Sequence, residues 1–147
     1  VDYSAFKCCL GLKKITLQEG IESVDAYAFT GAEITELELP STLNHIGVLA
    51  FNCVSLEQLV FRESPSGKSQ EVTIEHCAFD CCFHMKKIYF PKTLKKINDF
   101  LPIMPDYVYY GGTEEEWQKI EGMQRYLDSV VWYGKRPEEI KTPPINS

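Results

Sequence analysis

The densest chemistry in the chain lies between His76 and His84, where two imidazoles and three thiols share nine residues: His76-Cys77-Ala78-Phe79-Asp80-Cys81-Cys82-Phe83-His84. Thiolate and imidazole are the ligands zinc prefers. A thiol beside an imidazole is also the minimum for a cysteine nucleophile. Both chemistries meet obstacles in the local order. Cys77 and Cys81 straddle Ala78-Phe79, and adjacent Cys81 and Cys82 cannot easily both face one metal. The pairs available to a thiol hydrolase are Cys77 with His84 and Cys53 with His45, and neither brings an oxyanion hole or an orienting third group. Gly111-Gly112 lacks the flanking residues of a phosphate loop. No catalytic, metal or cofactor role is therefore assigned.

The element that must position these residues is a repeat. Ala-Phe occurs at Ala5-Phe6, Ala28-Phe29, Ala50-Phe51 and Ala78-Phe79, at intervals of 23, 22 and 28 residues. An apolar triplet keeps nearly the same period: Leu12/Ile15/Leu17, Ile34/Leu37/Leu39, Leu56/Leu59/Phe61 and Met85/Ile88/Phe90. Two landmarks holding one period define a repeat architecture. The end of each triplet alternates apolar and polar, the signature of a half-buried strand. Pro40 and Pro91 then turn the chain, and Glu19-Gly20 does the same after Leu17. A second apolar pair follows at Ile21/Val24, Leu43/Ile46 and Leu94/Ile97. Each coil is thus expected to hold two short strands and one tight turn, with its Phe stacked on that of the next coil near the ~4.8 Å strand spacing.

Arg62 to Glu71, RESPSGKSQE, breaks the period without an apolar residue and reads as an inserted surface loop. Beyond Ile97 the repeat fails. Asp106 to Tyr110 reads as a strand. Thr113 to Glu116 has the form of a capping box opening a helix to about Glu121, with Trp117 and Ile120 on its inner face. Ser129 to Tyr133 reads as a closing strand. The expected organisation is repeats over 1–100 (about four coils, the first truncated), a strand–helix–strand cap over 101–134, and a flexible tail over 135–147. Val1 aligns with Ile46, in mid-repeat, so a longer parent chain is expected.

The formal charge of −6 argues against nucleic acid or an anionic membrane as the main partner. The Lys13-Lys14, Lys86-Lys87 and Lys95-Lys96 pairs carry no aromatic stripe of the kind that stacks on bases. Nothing is long and apolar enough for insertion into a bilayer.

The coil at Leu39 to Phe61, with Pro40, Leu43, Ile46, Gly47, Ala50, Phe51, Cys53, Leu56 and Leu59, resembles the BspA-like, or Treponema-type, leucine-rich repeat family. The stretch Tyr109 to Trp117, with Lys119-Ile120 and Val130 to Tyr133, resembles the C-terminal cap of bacterial members. Ala32 stands in the family's Cys column, and Asp25 and Glu75 replace the Gly represented by Gly47. The resemblance implies a right-handed leucine-rich-repeat solenoid of short parallel strands and tight helical turns, with a small α/β cap. It further implies a bacterial cell-surface or secreted protein that adheres to host or neighbouring-cell proteins and has no catalytic residues. The alternative is a passive stalk presenting another domain.

In that frame Cys9, Cys53 and Cys82 fill small apolar slots, and free buried thiols are expected. A bridge from Cys53 to Cys81 or Cys82 stays open, being one coil apart. The expected recognition face is the outward side of the main strands. Lys14, Glu36, Gln58 and Lys87 form one row; Thr16, Glu38, Val60 and Tyr89 form the other. Val60 and Tyr89 are expected to be its exposed apolar positions. The uncovered first coil is expected to allow self-association.

Overall fold

The computed structural model describes residues 1–2, 4–52, 55–98, 105–122 and 131–134. The chain winds as a solenoid between two parallel sheets. The larger sheet contains β1 (Lys14–Thr16), β3 (Glu36–Leu39), β5 (Gln58–Phe61), β7 (Lys87–Phe90), β9 (Tyr107–Tyr110) and β10 (Val131–Tyr133), in that spatial order. The smaller contains β2 (Ser23–Val24), β4 (His45–Ile46), β6 (Gln70–Ile74) and β8 (Leu94–Asn98). Every pairing is parallel, as successive coils of one hand require.

The triplets set the register. Ile15, Leu37, Leu59, Ile88, Val108 and Val131 align as one row across the large sheet. Leu37, Leu59, Ile88 and Val108 in this row are at most 1 % exposed and face the core. Burying a side chain of this size is worth ~1.5–3 kcal/mol, so the row is a main source of stability. Beside it run Leu39, Phe61, Phe90 and Tyr110, all buried. Phe61 stacks on Phe90 at 5.4 Å, and Trp117 closes against Phe90 at 5.7 Å and Tyr110 at 5.2 Å.

The Ala-Phe turns build a third ladder. Phe6, Phe29, Phe51 and Phe79 stack with centroids 5.0, 5.1 and 5.2 Å apart, slightly above the strand spacing as expected. Their backbones bond as well. Phe6 N donates to Ala28 O at 2.7 Å, and Phe29 N to Ala50 O and Phe51 N to Ala78 O at 2.8 Å each. Aiming these amides along the axis requires a left-handed residue before each pair. Ser4, Tyr27, Leu49 and Cys77 take it, with φ of 53°, 61°, 54° and 59°. Such a conformation costs a non-glycine residue ~1–2 kcal/mol. The stacked ring and the inter-coil bond at every turn offset that cost.

Two expectations are corrected. The 62–71 segment is more than a surface loop. Gln70 and Glu71 belong to β6, and Ser64 and Gln70 are buried. Ser64 N donates to Thr93 Oγ1 at 3.1 Å, Gln70 Nε2 to Arg62 O at 3.0 Å, and Thr93 Oγ1 to Gln70 Oε1. Arg62 reaches back two coils to Leu17 O and pairs with Glu19 at 3.4 Å. Only residues 65–69 form an exposed tip. The helix is also shorter than expected. α1 spans Glu114–Trp117, opened by the anticipated capping box at Thr113 and Glu116. Ile120 is nonetheless buried, because the chain must reach β8: Glu121 N donates to Lys95 O, and Glu121 O accepts from Ile97 N. There Gly122 passes so close that a Cβ would lie 1.6 Å from Ile97 O, with φ at +93°. Only glycine fits that approach.

Candidate recognition face

Outward side chains of the large sheet fall into two rows, in the register expected. Lys14, Glu36, Gln58 and Lys87 are partners across β1, β3, β5 and β7, and Tyr107 on β9 continues the row. Thr16, Glu38, Val60 and Tyr89 form the second, continued by Tyr109 and Trp132.

The first strands present charge. Lys14 Nζ lies 3.6 Å from both Glu36 Oε2 and Glu38 Oε1, with the lysine side chain 58 % exposed. The other lysine pairs behave alike: Lys13 meets Glu33 at 3.0 Å, Lys86 meets Glu57 at 3.1 Å and Lys96 meets Glu121 at 3.3 Å. Each contributes at most ~1 kcal/mol at the surface. Each places a glutamate carboxylate beside one lysine of its pair.

Farther along, the face changes character, and here the expected exposure of Val60 and Tyr89 is corrected. Val60 and Tyr89 are 1 % exposed and Tyr109 is 3 % exposed. They form a second apolar cluster, with Tyr107 and Trp132 packed against it, separate from the main core. The Tyr89 hydroxyl reaches the backbone at Gly111, where a Cβ would lie 2.6 Å from it. Strand alternation fixes which way a side chain points, whereas burial depends on what packs over it. Tyr109 Oη and Trp132 Nε1 are buried without a hydrogen-bond partner among the described residues. Burial, and then the neighbouring Tyr107, push the Tyr109 phenol up. The extension of the face to Tyr109 and Trp132 was open to sequence reasoning, since Tyr107 and Tyr109 alternate as Lys87 and Tyr89 do. What hid Trp132 was that its strand follows a helix and no repeat landmark.

The thiol–imidazole cluster comes apart on folding. Cys82 is buried, its Sγ donating to Phe51 O at 3.3 Å. Cys77 and Cys81 are half-buried, while His76 and His84 are exposed. Among the described residues no three His, Cys, Asp or Glu side chains are grouped to hold a metal ion. Cys8, Cys9 and Cys81 are free thiols. The expected burial is found for Cys82 alone among the described cysteines, since Cys8 is exposed and Cys9, Cys77 and Cys81 are half-buried. Cys53 and its pairing lie outside the described residues. His45, the other proposed partner of a thiol, pairs instead with Glu75 at 2.9 Å.

Two parallel sheets, a stacked aromatic turn and a period near 22 residues define a leucine-rich-repeat solenoid. Residues 1–101 match the BspA type leucine rich repeat region in six copies, and the chain belongs to that family. No curated protein matches. Among solved structures the chain is similar to a leucine rich cell surface protein from Faecalibacterium prausnitzii A2-165. The two share 20% identity at a TM-score of 0.41, over 74% of this chain and 34% of that one. The chain thus spans about a third of that protein's length. Among the described residues, no helix is long and apolar enough to cross a membrane.

Proposed function

We propose that this chain is a non-catalytic recognition module of a bacterial surface or secreted protein, binding a host or neighbouring-cell protein through the outer face of its large sheet. The observation that carries the reading is the register of Lys14, Glu36, Gln58 and Lys87 across four adjacent strands. It sets side chains from four coils in one row that a rigid partner can read at once. Glu38 lies beside them, and Tyr107 extends the row. Val60 and Tyr89 act from beneath, as packing that stiffens the strands. Membership of the repeat family supports the setting.

The test is solid-phase binding of the purified chain to a panel of extracellular-matrix proteins and to whole bacterial cells. The comparison is with a Gln58→Glu/Lys87→Glu variant of unchanged thermal stability. Saturable binding lost in the variant is expected. Binding that survives the substitutions overturns the face, and no binding to any panel member favours a passive spacer.

A further inference from the structure

We draw no further inference here: the strongest candidate, the strip of buried Val60, Tyr89 and Tyr109 with half-buried Trp132 on the outer face of the large sheet, belongs to the face already described.

Discussion

The two ends of the large sheet use one geometry for opposite purposes. On β1 and β3 the outward positions are Lys14, Thr16, Glu36 and Glu38, exposed or half-exposed and linked by ion pairs. On β7 and β9 the equivalent positions include Tyr89 and Tyr109, buried as deeply as the core. The strands, spacing and register are the same. Only the side chains and their surroundings differ, so a repeat position fixes direction but not environment. One end is held by its inward face alone, and the other by both faces.

The contrast breaks most sharply if a charge is placed at equivalent positions. Tyr89→Asp would bury an unpaired carboxylate and empty a large aromatic site, and is expected to cost about 4 kcal/mol or more. Urea denaturation measures it; a loss below ~1 kcal/mol would show the site is open to water.

Alkaline pH separates the ends more gently. Burial, and then Glu116, push the Tyr110 phenol up to about 12 from an ordinary 10.0. Tyr109 and Tyr133 move the same way, burial being the main cause in both. The unfolded chain therefore loses these protons first. The stabilisation from Tyr110 is complete below pH 10.0 and is lost as pH rises through about 12. For Tyr110 the effect is at most ~3 kcal/mol. Thermal melts from pH 9 to 12 should show a fall that Tyr110→Phe reduces. Because the Tyr110 hydroxyl is buried without a hydrogen-bond partner among the described residues, that variant should lose no stability at neutral pH.

The smallest effect belongs to the charged end. Lys14→Gln removes both contacts to Glu36 and Glu38, yet should change stability by no more than ~0.5 kcal/mol and less in high salt. A larger loss in the same denaturation assay would mean that the ion pairs hold the first coils together.

Much of this was legible in the residues. Ala-Phe and the triplets gave the coil length, the Phe stack and the pairing of Lys14 with Glu36, because a period of two within strands leaves one register that buries every triplet. The capping box at Thr113 was equally readable, being local chemistry. What escaped depended on distant partners. The helix stops early because Glu121 and Gly122 must meet Ile97, a residue more than twenty positions away. The polar 62–71 segment looked unattached because its anchors, Leu17, Glu19 and Thr93, lie in other coils. The candidate face was legible in its directions but not in its exposure.

The unequal strand lengths have a mechanical consequence. Under tension along the axis the coils are links in series, and each link is as strong as the ladders joining it to the next. β2 and β4 share two register pairs, whereas β6 and β8 share four. The polar anchors of Ser64 and Gln70 on Thr93 thicken the later links further. A pull on such a filament would open it from the first coils and leave the later ones, with their buried aromatic strip, as the last part to yield.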